Sequence, residues 1–376
     1  MIRRGPLVPI VLIACGTLAL TGCKVGSLSV SPSASASTRS VTHHPASHHP
    51  ASHRTAKHRT ASHRTTSHRT AKRQSTQQPI SLLVEPAAGF SPVYSLFARA
   101  KHSIDVTMYE FTDTTAEHDL AAAARRGVHV EVILDGKESS ENQAAYRYLG
   151  AHGVTVVWSS SAYYYTHQKT LIIDGGQAVI MTANLTSSYY ATSRDFLVLD
   201  SVKADVAAIT ATFNADFAHH AITPGNGADL VWSPTNAQAT LLSLINGATR
   251  SLRIYSEEMG DTTIENALIA AARRGVDVQV CGENESGEYD SAYAKLARAG
   301  VHIAYFSNPD GFYIHGKVVE ADYGTSHARA FIGSENFSST SLNRNRELGL
   351  ITTTPSVLSA IATAFAGDFQ HGTHWS

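Results

Sequence analysis

Two stretches of the chain, His167-Gln168-Lys169-Thr170-Leu171-Ile172-Ile173-Asp174 and His315-Gly316-Lys317-Val318-Val319-Glu320-Ala321-Asp322, carry one pattern, His-x-Lys-x-x-x-x-Asp, 148 residues apart. A single histidine among 20 means little, but a three-residue pattern that recurs at a fixed interval is hard to obtain by accident. The flanks agree with it. Thr182 and Asn184 follow the first stretch, Ser334 and Asn336 the second, and an acid comes next in each, Asp195 and Glu347. These later offsets are all four residues longer in the second copy, which places an insertion in the loop around residues 323–328.

Outward from the motifs the same interval holds. Leu83-Val84-Glu85-Pro86 answers to Val231-Trp232-Ser233-Pro234, Asp113-Thr114-Thr115 to Asp261-Thr262-Thr263, and Arg125-Arg126-Gly127-Val128 to Arg273-Arg274-Gly275-Val276. The body is therefore one unit written twice, in halves spanning 80–225 and 226–376. Each half reads as an alternating apolar strand (104–111 and 252–259), then an alanine-rich helix ending at Gly127 or Gly275. A β-branched strand (128–134 and 276–280), a second helix (143–152 and 291–299) and another strand follow. Strands alternating with helices predict an α/β fold in which helices cover the sheets, the two halves forming one two-lobed domain.

On this evidence the chain resembles the phospholipase D superfamily in its two-motif, single-chain form, over essentially all of residues 81–376. The resemblance implies two pseudo-twofold related α/β/α halves whose motifs meet at one active site. It also implies phosphodiester cleavage through a phosphohistidine intermediate, with no metal and no other cofactor. The first half departs from the usual Gly-Ser-x-Asn, reading Met181-Thr182-Ala183-Asn184 against Gly333-Ser334-Glu335-Asn336; threonine keeps the hydroxyl.

The residue types suit that chemistry on their own terms. On a β-strand His167 and Lys169, like His315 and Lys317, would point to the same face and present an imidazole and an ammonium to one phosphate. A neutral imidazole can attack phosphorus while a protonated one gives its proton to the leaving oxygen. Lysines and the Asn184 and Asn336 amides can stabilise the phosphoryl oxygens, and Asp195 and Glu347 can each orient a histidine. Asp174 and Asp322 read as structural. Pseudo-symmetry does not say which histidine attacks; the resemblance favours His167, with His315 as acid and then base.

The 30 Lys and Arg against 31 Asp and Glu give a net charge of −1, but all 31 acids follow residue 79 while 11 of the bases precede it. The body keeps 19 bases against 31 acids, a net of −12, which argues against a domain built to grip nucleic acid. Residues 1–23 have the layout of an export signal, and Leu20-Thr21-Gly22-Cys23 resembles a bacterial lipobox, so Cys23 would be acylated and anchor the protein to the outer face of a membrane. Residues 24–79, rich in Ser, Thr, His and Arg, read as a disordered tether with pentads beginning at His43, His48, His53, His58, His63 and His68. With Cys23 lipidated, Cys281 is expected to be a packed thiol.

Aromatics crowd the motifs: Tyr163-Tyr164-Tyr165, Tyr189-Tyr190 and Phe312-Tyr313. Such a rim suits a head group or a membrane interface and can equally stack bases. The expected substrate is phospholipid at a membrane surface, hydrolysed as by phospholipase D with transfer to another alcohol as a side reaction, by a monomer needing no protein partner. An exported nuclease with the basic tether collecting DNA is the second reading, and an inactive surface-anchored binding protein is a third, of another class.

Overall fold

The computed structural model describes residues 79–307 and 311–376; the export signal with Cys23 and the histidine pentads lie outside them. The repeated tripeptide and tetrapeptide are the punctuation of one helix. Asp113 accepts the N–H groups of Thr115 at 2.9 Å and Ala116 at 3.2 Å, opening helix Thr114–Arg125, and Asp261 does the same for Thr263 and Ile264 in front of helix Thr262–Arg273. This is side-chain capping of otherwise orphaned donors. Both helices stop where Gly127 and Gly275 take φ of 89°, a conformation that glycine adopts without a steric penalty. The arginine before each glycine ties its helix to the preceding one, Arg126 Nη2 donating to Phe97 O and Arg274 Nη2 to Ile245 O.

Each half builds a mixed sheet in the same order. The first runs Ile80–Val84, Phe196–Asp200, Gln177–Met181, Thr170–Ile173, Ser103–Met108, His129–Leu134, Thr155–Trp158. The second runs Leu230–Ser233, Glu347–Thr352, Arg329–Gly333, Val318–Ala321, Ser251–Ser256, Asp277–Glu283, His302–Phe306, with Thr373–His374 added at the edge. The last three main strands of each are parallel to one another and the rest antiparallel. Helices Ser91–Arg99, Thr114–Arg125 and Ser139–Ala151 cover one face of the first sheet, and Ala237–Gly247, Thr262–Arg273 and Asp290–Arg298 one face of the second. The other faces share a central core. Ile172, Ile180 and Phe196 of the first sheet join Trp232, Tyr255 and Ile332 of the second, together with helices Lys203–Phe217 and Pro355–His371. The expected two-halved α/β architecture is the one observed, and the helices capping each face leave the strands' apolar side chains no water to meet. Among the described residues no helix is long and apolar enough to cross a membrane.

Strand limits differ from the expected ones in one instructive way. The strands expected over 104–111 and 252–259 end at Met108 and Ser256, and only Phe111 and Met259 return to make isolated bridges, with Leu185 and Phe337. The chain lets go of the sheet so that Tyr109-Glu110 and Glu257-Glu258 turn away from it. The strand expected over 276–280 runs on to Glu283, which puts Cys281 inside it, fully buried. The insertion falls where the offsets put it, in the turn from Asp322 to Ala328, which answers to the short turn Asp174 to Gly176.

Both turns begin at an aspartate with positive φ, 51° at Asp174 and 55° at Asp322. Asp174 accepts the N–H groups of Lys101, His102 and Ser103, and Asp322 those of Thr249, Arg250 and Ser251 plus the Thr249 hydroxyl. Burial works against their charge, but these donors outweigh it and hold both carboxyls below the ordinary 3.8. The two halves are also locked by exchanged ion pairs. Arg194 of the first half donates to Asp368 of the second at 2.5 and 2.8 Å, while buried Arg346 of the second donates to Asp216 of the first through Nη2 at 3.0 Å, its Nε 2.9 Å from the other oxygen.

Asp216→Ala leaves the Arg346 guanidinium buried without its partner, and is expected to lower the unfolding free energy by about 3–5 kcal/mol in urea titration; a loss well under about 1 kcal/mol would show that the pair does not lock the halves. Asp322→Ala strips the acceptor from three N–H groups and puts alanine in the left-handed region, at an expected cost of about 2–4 kcal/mol. Asp322→Asn, which tolerates that φ and still accepts, is expected to lose less than half as much.

Candidate active site

The motif residues do not sit on the strands. His167-Gln168-Lys169 lies just before strand Thr170–Ile173, and His315-Gly316-Lys317 lies between the short strand Tyr313–Ile314 and strand Val318–Ala321. The expectation of an on-strand pair is corrected for a physical reason: these segments leave their own sheet to pair with the opposite half. Thr166 bridges to Arg346 and Gln168 N donates to Arg346 O at 3.0 Å, while Tyr313–Ile314 pairs in parallel with Ser193–Arg194. Gly316 passes so close that a Cβ there would fall 2.8 Å from the Phe196 ring. Asp135 and Glu283, at the ends of the neighbouring strands, hold the two crossings by accepting the N–H groups of Thr166 at 2.6 Å and Ile314 at 3.0 Å.

The crossing exchanges the partners of the two histidines. His167 of the first half places Nδ1 2.9 and 3.1 Å from the carboxylate of Glu347 in the second half. His315 of the second half places Nδ1 2.8 Å from Asp195 Oδ1 in the first. Thr182 Oγ1 donates to Asp195 at 2.6 Å and Ser334 Oγ to Glu347 at 2.6 Å, so the threonine of the first copy fills the role of the serine in the second. Ser341 Oγ and Asn345 Nδ2 add further donors to Glu347, at 2.7 and 3.0 Å. Both carboxylates are buried, which opposes their charge. His315 beside Asp195 and His167 beside Glu347 outweigh that and hold both carboxyls below their usual range. An ionised carboxylate only accepts, so each imidazole carries its Nδ1 proton and is left with Nε2 for a substrate. Burial, helped by nearby Lys169 and Lys317, lowers the His167 pKa below 6.5 against the opposing pull of Glu347.

Lys169 and Lys317 are buried and bend back to donate to the carbonyls of His167 and His315, each at 2.6 Å. Burial lowers the Lys169 pKa to about 7. Asn184 Nδ2 donates to Glu110 at 3.2 Å and Asn336 Nδ2 to Glu258 at 3.0 Å. Burial raises both of these glutamates, Glu258 to about 7 with the charge of Glu257 adding to the effect. The structure thus brings His167, Lys169, Asn184, Asp195, His315, Lys317, Asn336 and Glu347 into one connected cluster, with Thr182 and Ser334 beneath the two acids. Asp174 and Asp322 lie at the far end of their strands and organise turns.

Four residues of this cluster escaped the reading of the sequence: Tyr109, Glu110, Glu257 and Glu258. The internal interval superposes Tyr109 on Glu257 and Glu110 on Glu258, so the repeat could have found them; their position inside an apolar run hid them. The aromatic rim is smaller than expected. Tyr164 and Tyr189 are 39% and 55% exposed, and Tyr164 stacks between Lys137 Nζ at 3.6 Å and Arg344 at 4.6 Å. Four of the others are tied inward, Tyr163 to Arg346, Tyr190 to Asp113 and Phe90, Phe312 to Phe306 and Tyr313 to Glu257, and Tyr165 meets Tyr109 and Tyr164 edge-on. Cys281 is a packed thiol whose pKa burial raises well above the ordinary value. Among the described residues no group of three or more His, Cys, Asp or Glu side chains is arranged to hold a metal ion.

Comparison with known proteins meets this geometry. The chain is 24% identical over 351 residues to a cardiolipin synthase of Geobacillus thermodenitrificans, an alignment covering 78% of this chain and 68% of that one. Its fold is similar to the crystal structure of phosphatidylserine synthase from Haemophilus influenzae, with a TM-score of 0.61 at 13% identity, covering 78% of this chain and 86% of that one. It is also similar to polyphosphate kinase from Porphyromonas gingivalis, with a TM-score of 0.63 at 16% identity, covering 77% of this chain and 47% of the kinase. Residues 93–219 and 241–369 each match the family described as cardiolipin synthase, phospholipase D-like domain. With both halves matched and the two motifs joined in one cluster, the chain belongs to that family and is a phosphodiesterase of the phospholipase D superfamily.

Proposed function

We propose that the protein transfers the phosphatidyl group of glycerophospholipids through a phosphohistidine, to water as a phospholipase D does and to an alcohol where one replaces water. The observation that carries this reading is the exchange of partners: each histidine has Nδ1 held by a carboxylate from the other half, which directs two Nε2 atoms to one reaction. His167 is the nucleophile, since burial favours its neutral form. Its Nε2 lone pair forms the N–P bond as the P–O bond to the head group breaks, and the departing oxygen takes the bond pair and the Nε2 proton of His315. In the second step an incoming hydroxyl gives its proton to His315 and bonds to phosphorus, the N–P pair returning to His167. Lys169, Lys317 and the Asn184 and Asn336 amides stabilise the negative phosphoryl oxygens during both steps.

Phospholipid is favoured as substrate by the relative described as a cardiolipin synthase and by the acidic body, which is a poor polyanion binder. The lipobox at Cys23 would hold the enzyme beside such a substrate, on the outer face of a membrane.

Purified enzyme in excess EDTA is expected to release head groups from mixed phospholipid vesicles, and His167→Ala and His315→Ala each to reduce this by roughly 10³-fold or more. Loss of activity in EDTA contradicts the mechanism, and plasmid cleavage without head-group release contradicts the lipid assignment. The pH profile follows from two lowered groups. kcat/KM is expected to hold to lower pH than an ordinary imidazole of 6.5 would allow, because His167 gives up its proton below that value, and to fall as pH rises through about 7, where free Lys169 loses its proton. A bound phosphate favours the charged lysine, so the alkaline fall in kcat is expected at higher pH than that in kcat/KM; coincident limbs would remove Lys169 from the phosphate's partners.

A further inference from the structure

The halves carry residues of unlike charge at one pair of positions beside the histidines, Tyr109 and Glu257. Tyr109 of the first presents its ring edge-on to His167, centroids 4.5 Å apart, and lies 4.8 Å from Lys169 Nζ. Glu257 stands in its place in the second half. Its Oε2 is 2.5 Å from Lys317 Nζ and its Oε1 3.6 Å from His315 Nε2, and Tyr313 OH donates to Oε1 at 2.6 Å. His315 therefore has a carboxylate near each ring nitrogen, Asp195 at one and Glu257 at the other, whereas among the described residues His167 is paired with Glu347 alone. A separation of 3.6 Å is too long for a hydrogen bond, so the Nε2 proton stays free for a leaving oxygen. It is short enough for the carboxylate and a positive charge on the imidazole to attract one another.

We propose that Glu257 is a positioning residue whose negative charge, 3.6 Å from His315 Nε2, stabilises the imidazolium form of His315 in the first step, and so makes His315 the acid and His167 the nucleophile. The proposal rests on the two-histidine reading above. Glu257 exchanges no proton itself: the proton on His315 Nε2 leaves with the head-group oxygen, and the same carboxylate makes neutral His315 the better base when the incoming hydroxyl arrives. Burial opposes the charge of Glu257, but Lys317 and then His315 outweigh it and hold its carboxyl well below the ordinary range. The groups facing this pair are Asp195 and Glu110 around His315, and Lys317, Lys169, Tyr313, Glu258, Glu283 and Tyr289 around Glu257. None of them supplies a second carboxylate in contact with His315 Nε2 among the described residues.

The test is a leaving-group comparison in the full chain, with phosphatidyl-p-nitrophenol, whose phenolate departs without a proton, against phosphatidylglycerol, whose alkoxide needs one. Glu257→Gln is expected to lose at least about tenfold more kcat on phosphatidylglycerol than on the phenyl ester, and Glu257→Asp to recover part of that difference. Equal losses on both, or a lower KM with kcat unchanged, would overturn the proposal, the latter showing that Glu257 merely competes with phosphate for Lys317. Wild-type enzyme inert towards both esters would instead sink the lipid assignment. The proposal then stands or falls on the same comparison with thymidine 5′-(p-nitrophenyl phosphate) and dithymidine monophosphate, whose leaving groups differ in the same way: Glu257→Gln is expected to lose at least about tenfold more kcat on the dinucleotide, and equal losses overturn the proposal.

Discussion

Two hydrogen bonds that cross between the halves, Glu347 to His167 and Asp195 to His315, set the terms for the rest of the molecule. For each carboxylate to reach the other half's imidazole, the motif segments must leave their sheets. For them to leave, other acceptors must satisfy their N–H groups: backbone of the opposite half at Arg346 and the Ser193–Arg194 strand, and the side chains of Asp135 and Glu283 from their own halves. Buried carboxylates are tolerated because each is paired and further hydrogen-bonded; an unpaired one would neutralise itself. The central apolar core and the exchanged Arg194 and Arg346 ion pairs supply the rigidity that keeps these short bonds in register.

Much of this was legible in the sequence. Asp113 and Asp261 with Gly127 and Gly275 announce the start and stop of equivalent helices, and the 148-residue interval supplies both the two-halved fold and eight of the cluster's residues. What the sequence hid is relational. That Asp195 serves His315 and Glu347 serves His167 depends on which half each segment crosses to, and no local pattern encodes a crossing. The on-strand placement of the motif failed for the same reason, since backbone pairing with a distant segment replaced pairing with the neighbour. Tyr109, Glu110, Glu257 and Glu258 were missed because an alternating apolar run was extended by periodicity past the point where the strand ends. The aromatic rim was overread because a tyrosine's hydroxyl can be satisfied inward, as at Tyr163, Tyr190 and Tyr313.

The electrostatics of the site are more crowded than the motif alone suggests. Four potential cations, two imidazoles and two ammonium groups, are set among the carboxylates of Glu110, Asp195, Glu257, Glu258, Glu335 and Glu347. Of these, Asp195, Glu257 and Glu347 are favoured in the ionised form by the histidines and lysines around them, while burial pushes Glu110, Glu258 and Glu335 towards the neutral acid. The free site therefore carries little net charge, and an arriving phosphodiester anion meets lysines that are partly neutralised or partly deprotonated. Selectivity for phosphate then comes from geometry, from donors placed around one position, more than from bulk attraction.

Reciprocal contact, in which one copy's acid serves the other copy's base and the reverse, is the signature of an isologous dimer. Here the two copies are fused by the segment between Phe217 and Leu230. In a true homodimer any residue beside one histidine must stand beside the other as well, so both imidazoles titrate alike and either can attack. Fusion lifts that constraint. Tyrosine at 109 and glutamate at 257 are possible together only because one gene encodes both copies in tandem, which lets a duplicated, symmetric site acquire a fixed direction.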